Sequence, residues 1–152
     1  MFVHFEFWHL FVNMLGLFFF APALERRWGS RTFWKFYMIA GIGAGVMHAI
    51  ISLVFQLPEL RAYIIGASGA IYAVLLAFAA YYPNQPVYVY GVLPIKVKYL
   101  MIMFVVLAFF STAGGLNSGI SNLTHLTGLG VGYVWLALRH HDWDIRRWQW
   151  TR

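Results

Sequence analysis

Five nearly unbroken apolar stretches, separated by short polar or charged segments, organise the chain: Trp8–Leu24, Phe33–Phe55, Tyr63–Tyr82, Tyr99–Gly114 and Leu123–Leu138. Each approaches the ~20 residues that an α-helix needs to cross a bilayer at ~1.5 Å per residue. The pattern predicts an all-α, polytopic membrane bundle with five transmembrane helices. No linker, low-complexity tract or internal repeat interrupts it. Residues 1–138 read as one transmembrane domain, and 139–152 ("RHHDWDIRRWQWTR") as a basic, Trp-rich tail that suits an interfacial anchor.

Composition strengthens this reading. Of 152 residues, 61% are hydrophobic, 20% aromatic and only 11% charged, more apolar surface than a soluble domain of this size can cover. The formal charge of +6 is unevenly placed. Arg26, Arg27, Arg31 and Lys35 follow the first stretch, Lys96 and Lys98 the third, and Arg139, Arg146, Arg147 and Arg152 the fifth; Arg61 stands alone in the other set of loops. By the positive-inside rule, stretches one, three and five run from outside to inside and the C-terminus is cytoplasmic. The basic residues are therefore topology signals and no nucleic-acid footprint.

The lack of cysteine excludes disulfides, thiol catalysis and cysteine-ligated metals. "FFFAPA" superficially suits a signal-peptide cleavage site, but no Lys or Arg precedes it and the basic cluster follows it, the reverse of a signal peptide. An outside-to-inside first stretch with three residues before His4 has nothing to deliver its N-terminus outside, which predicts a further span upstream. Short loops and no transit-like N-terminus point to a bacterial inner membrane.

Small residues recur at helix-packing spacing: Gly41, Gly43 and Gly45 in the second stretch, Gly66, Gly69 and Ala73 in the third, Gly128 and Gly132 in the fifth. In lipid, such residues let helix backbones approach closely, so stretches three and five are expected in tight contact. "GIGAG" has no strand before it and is read as packing rather than as a nucleotide loop.

Polar groups within apolar stretches are costly and therefore informative. They are His9 and Asn13, His48, Ser68 and Tyr72, and Thr124, His125 and Thr127. Stretches one, three and five all enter from outside, and rise per residue puts Asn13 ~7–8 Å, Ser68 ~6–8 Å and His125 ~3–5 Å below their starts. A serine becomes a nucleophile when a neighbouring imidazole takes its proton. The oxyanion formed on attack needs aimed donors. His9 and Asn13, four residues apart on one helical face, can both donate, and the Ser68 N–H can add a third if Gly66 allows a substrate close. The carboxylates Glu6, Glu25, Glu59, Asp142 and Asp144 all lie in loops or the tail, favouring a Ser–His dyad over a triad. Tyr72, one turn after Ser68, is placed to orient the imidazole.

Blander readings compete with each of these. A lone serine in a membrane helix usually packs or bonds its own backbone. His48 reads as an interhelix residue, and His140 and His141 as solvated tail. His4 lies ~140° around the helix from His9, which suits it to holding a loop or a water at the site. A metal set built on His4, His9 and His125 lacks a carboxylate or cysteine to complete it, so neither metal nor other cofactor is expected.

Taken together, the motifs resemble those of the rhomboid intramembrane serine proteases. "HFEFWHLFVN" (His4, His9, Asn13) has the HxxxxHxxxN pattern, "GASG" matches GxSG around Ser68, and "HLTGLGVG" matches HxxGxxxG from His125. "ERRWG" resembles the family's ExRxxG loop only loosely. The resemblance implies Ser68 as nucleophile and His125 as base, then acid toward the leaving amine. It implies His9, Asn13 and the Ser68 N–H as oxyanion donors, and Tyr72 packed on His125. The substrates it implies are single-span membrane proteins cut near the outer membrane face, with the lipid bilayer as medium. The family core has six spans, so the five here correspond to that core without its first, as in a fragment, a mis-started reading frame or a truncated relative. Two alternatives are a non-catalytic rhomboid-like protein that binds membrane clients, and a channel. A channel calls for polar groups through the full depth, and the retained Ser68 and His125 speak against loss of catalysis.

Overall fold

The computed structural model describes residues 7–55, 67–89, 92–113 and 122–139. Among these residues are five α-helices and one β-hairpin in the order α1 (Phe7–Trp28), α2 (Ser30–Val54), α3 (Ser68–Tyr81), β1 (Pro86–Val89), β2 (Leu93–Lys96), α4 (Val97–Ala113) and α5 (Asn122–Leu138). Each expected apolar stretch contains a helix, but the lengths differ from expectation. Among the described residues only α1 and α2, of 22 and 25 residues, are long and apolar enough to cross a bilayer by themselves. Helices α3, α4 and α5 have 14, 17 and 17 residues, below the ~20 of an independent span.

Helix α1 runs past the expected Leu24 through Arg26 and Arg27 and tolerates Pro22, whose missing N–H deprives only the Phe18 carbonyl of its helical donor. The chain then reverses over a single residue. Gly29 adopts φ 80°, ψ 151°, its N–H donates to Glu25 O at 2.8 Å, and its own carbonyl accepts from Phe33 N at 3.0 Å. One residue thus ends α1 and starts α2, in a conformation open essentially to glycine alone.

Helix α3 is the centre of the bundle, with 10 of its 14 residues buried, Ala70, Ala73, Val74 and Ala77 completely. Its apolar character on all sides is what such a position requires. The pairings around it establish direction. Along α1, Gly16 faces Ile71, Phe20 meets Phe78 at 5.0 Å and Trp28 meets Tyr81 at 5.7 Å. Along α5, Gly128 faces Gly69 and Gly132 faces Ala73. Residue numbers rise together in both series, so α1, α3 and α5 are parallel. Against α5, α2 runs the other way: His48 meets Thr124, Ala44 meets Thr127, Gly43 meets Val131 and Phe36 meets Trp135. Helix α4 begins beside the end of α3 and lays Phe104 5.9 Å from Tyr72, so it too runs against α3.

This alternation gathers the N-terminal ends of α1, α3 and α5 with the C-terminal end of α2. At the opposite end lie Arg26, Arg27, Arg31, Lys35, Lys96, Lys98 and Arg139, all seven of the basic residues among the described ones. The antiparallel hairpin, with Val87 opposite Ile95, sits at this basic end and was not anticipated. Beside it, the N–H groups of Val97 and Lys98 donate to Gln85 O and Pro83 O at 3.0 and 3.1 Å, capping the start of α4. Large apolar side chains such as Phe18, Phe19, Leu53, Phe109 and Phe110 face outward from the peripheral helices, as a lipid-facing surface requires.

Candidate active site

Ser68 is the first residue of α3, not a residue one to two turns within a helix as the apolar stretch suggested. Ala67 precedes it with φ −87° and ψ 1°, and the first helical bond closes from Ile71 N to Ala67 O at 3.0 Å. The N–H groups of Ser68, Gly69 and Ala70 therefore have no acceptor within the helix and form its positive end.

The next residue explains why the site lies here. At Gly69 three helices meet: a Cβ would come within 2.8 Å of Ala44 Cβ on α2 and 3.2 Å of Thr124 Cγ2 and O on α5. Conversely, a Cβ on Gly128 would overlap the carbonyl of Gly69. Ser68 precedes Gly69 and His125 follows Thr124, so both flank this crossing, 8% and 7% exposed.

Tyr72 and His125 join the two helices. Their rings are stacked, 4.2 Å between centroids and 5° between planes. Tyr72 shares a face of α3 with Ser68, four residues before it, so the imidazole of His125 lies along the face that carries the Ser68 hydroxyl. Phe104 of α4 meets Tyr72 edge-on, 5.9 Å between ring centroids. His125 Nδ1 is buried and accepts or donates no hydrogen bond among the described residues, an exception that in a native interior calls for a functional reason.

Helix α1 supplies the neighbouring wall. Asn13 is buried, one turn before the Gly16–Ile71 contact, and His9 lies one turn before Asn13 on the same helix. Both make further polar or ring interactions. His9, Asn13, Ser68, Tyr72 and His125 thus occupy one end of the bundle. His4 and Gly66 lie outside the described residues, as do Glu6, Glu59, Asp142, Asp144 and the tail from His140. Glu25, the remaining carboxylate, is at the basic end.

The role of the hydroxyls flanking His125 was not evident from the sequence. Thr124 Oγ1 is 2.9 Å from His48 Nδ1, and Thr127 Oγ1 is 3.0 Å from the carbonyls of Ala44, Leu123 and Thr124, which share its single O–H. His48 is indeed an interhelix residue, and α2 holds α5 on both sides of His125. Two threonines bracketing a histidine within an apolar stretch were the available signal.

The Rhomboid domain family matches residues 1–142. Among curated proteins, the chain is 28% identical over 150 residues to RHOMBOID-like protein 12, mitochondrial, of Arabidopsis thaliana, covering 91% of this chain and 44% of that protein. It is 32% identical over 134 residues to the putative rhomboid protease YdcA of Bacillus subtilis, covering 87% and 60%. With the rhomboid protease AarA of Providencia stuartii it shares 30% identity over 143 residues, covering 82% and 48%. The chain thus spans between about two-fifths and three-fifths of the length of these relatives. No solved structure gives a significant match.

Proposed function

The chain belongs to the rhomboid family and is an integral membrane protein, and from this we propose that it acts as an intramembrane serine endopeptidase through a Ser68–His125 dyad. The observation that carries the reading is the Tyr72–His125 stack, which lays the imidazole along the Ser68 face of α3 beside the N-terminal amides of that helix.

In this mechanism His125 takes the proton from Ser68 Oγ as the oxygen attacks the scissile carbonyl. The resulting oxyanion accepts hydrogen bonds from the Ser68 N–H and from the His9 and Asn13 side chains. His125 then delivers its proton to the leaving amine, leaving an acyl ester on Ser68. Water attacks that ester with His125 again as base, releasing the second product and restoring the hydroxyl. Tyr72 keeps the imidazole in plane; Gly66 allows close approach of the substrate backbone, and His4 holds a loop or the hydrolytic water.

Substrates are transmembrane proteins, cut near the membrane face at which the polar end of the bundle opens. The seven described basic residues at the other end, taken with the positive-inside rule, support a site toward the outside and a cytoplasmic C-terminus. A bacterial inner membrane is the proposed location, although the relatives include mitochondrial as well as bacterial proteins.

The test is labelling of the detergent-solubilised protein with a fluorophosphonate, beside cleavage of a reporter transmembrane segment in proteoliposomes. Wild type labels and cleaves, whereas folded Ser68→Ala and His125→Ala do neither. Labelling that survives Ser68→Ala overturns the assignment. A folded wild type that binds the reporter without labelling or cutting replaces it with the non-catalytic, client-binding reading.

A further inference from the structure

A second built feature lies at the opposite end of the molecule, between α1 and the end of α3. A groove of about 520 Å³ runs there, walled by Phe19, Ala23 and Phe78 on one side and by Arg26, Arg27, Tyr82 and Gln85 on the other. The apolar and polar walls are segregated along the helix axis. Phe19 and Arg26 are seven residues apart on one face of α1, about 10 Å along the axis at its rise per residue. The small side chain of Ala23 leaves the hollow between them.

Its walls are held in place. Phe78 packs against Phe20 at 5.0 Å and against Tyr82 at 4.8 Å. The Arg27 guanidinium rests 4.4 Å from the centroid of the Tyr81 ring, which fixes its direction through a cation–π contact. Among the described residues no carboxylate lines the groove, and neither Arg26 nor Arg27 forms an ion pair. Among the described residues, two adjacent guanidiniums and an amide are therefore presented together with no carboxylate in the groove.

We propose that this groove binds one anionic phospholipid, its phosphate on Arg26 and Arg27 and the upper part of its acyl chain along Phe19, Ala23 and Phe78. Guanidinium forks match phosphate oxygens in geometry as well as in charge. The apolar half distinguishes a lipid from a free anion, because inorganic phosphate gains nothing from an aromatic wall. Phe19 is 58% exposed, so an acyl chain can enter sideways from the bilayer. The basic end is also the end that faces the leaflet enriched in anionic lipid under the positive-inside orientation. The proposal is independent of proteolysis, and its readout is binding.

The experiment titrates the full chain in neutral detergent with dioctanoyl phosphatidylglycerol, dioctanoyl phosphatidylcholine or inorganic phosphate, reading adducts by native mass spectrometry and melting temperature. Phosphatidylglycerol alone is expected to give a single saturable adduct and to raise the melting temperature. Arg26→Gln removes a charge-assisted contact and is expected to weaken binding about tenfold. Ala23→Leu fills the hollow without changing charge and is expected to do the same. Lys35→Gln, at the same end but outside the groove, leaves affinity within about twofold, as expected of one distant screened charge. Equal losses in Arg26→Gln and Lys35→Gln overturn the site in favour of diffuse surface charge. Inorganic phosphate that protects or competes as well as the lipid replaces it with a free-anion site. Undiminished affinity in a folded Ala23→Leu refutes the groove as its location.

Discussion

The Tyr72 ring lies parallel to the His125 imidazole, 4.2 Å between centroids and 5° between planes, a ring contact between α5 and the N-terminal turns of α3 beside the close backbone approach of Gly128 to Gly69. Parallel stacking fixes the ring plane of the histidine without occupying either nitrogen. Tyr72→Phe keeps the stack and is expected to retain cleavage within a few-fold of wild type. Tyr72→Leu keeps bulk but loses the stacking, worth about 0.5–1.5 kcal/mol, and is expected to slow cleavage about three- to tenfold. Single-turnover rates in proteoliposomes check the difference, and equal rates for the two variants would remove the orienting role.

Two glycines of α5, two residues apart, are expected to respond oppositely to the same substitution. In Gly128→Ala the new Cβ meets the backbone of Gly69, which cannot rotate away, so α3 and α5 must separate at a cost of about 3 kcal/mol or more. Nothing lies within 4 Å of a Cβ at Gly130. There Gly130→Ala is expected to be neutral or to stabilise by up to ~1 kcal/mol through helix propensity. Unfolding in detergent against a denaturant gradient reads both.

At Gly29 the strain is conformational, since no atom lies within 4 Å of a Cβ but φ is +80° with ψ 151°. Gly29→Ala is expected to destabilise by about 1–3 kcal/mol. Asn, which often substitutes for Gly in the left-handed helical region, is no better here because ψ lies far from that region. Equal melting temperatures for wild type and Gly29→Asn would contradict this.

The Thr124–His48 bond, 2.9 Å and buried, predicts thermodynamic coupling between α2 and α5. A double-mutant cycle with Thr124→Val and His48→Phe is expected to give about 0.6 kcal/mol, the average of interhelical hydrogen bonds in membranes, and at most about 1.7 kcal/mol. Strict additivity would show that the contact contributes nothing net.

Much of this architecture was legible from the residues because lipid imposes long apolar runs and penalises stray polar groups. The limits of α4 and α5 lie within two residues of the apolar stretches Tyr99–Gly114 and Leu123–Leu138. Parallelism of α1, α3 and α5 follows from counting helices, and with it the gathering of His9, Asn13, Ser68 and His125 at one end. Hydrophobicity could not locate the start of α3. The run from Tyr63 is apolar throughout, whereas Ala67 has left the helical conformation for reasons of local backbone geometry. The hairpin escaped notice because Pro86 and Pro94 argue against strands, yet both are tolerated in a two-stranded ribbon whose strands are each an edge. Pairing of His48 with Thr124 depends on which helix faces which, information that a linear pattern does not carry.

The collection of seven described basic residues at one end has a kinetic consequence. Turning the molecule over would carry those charges through hydrocarbon at about 2.5–3.5 kcal/mol apiece on the insertion scale, on the order of 20 kcal/mol together. Such a reversal does not compete with the lifetime of a cell. Sidedness is therefore inherited from the moment of insertion, a record of biosynthesis rather than an equilibrium the folded protein continues to sample.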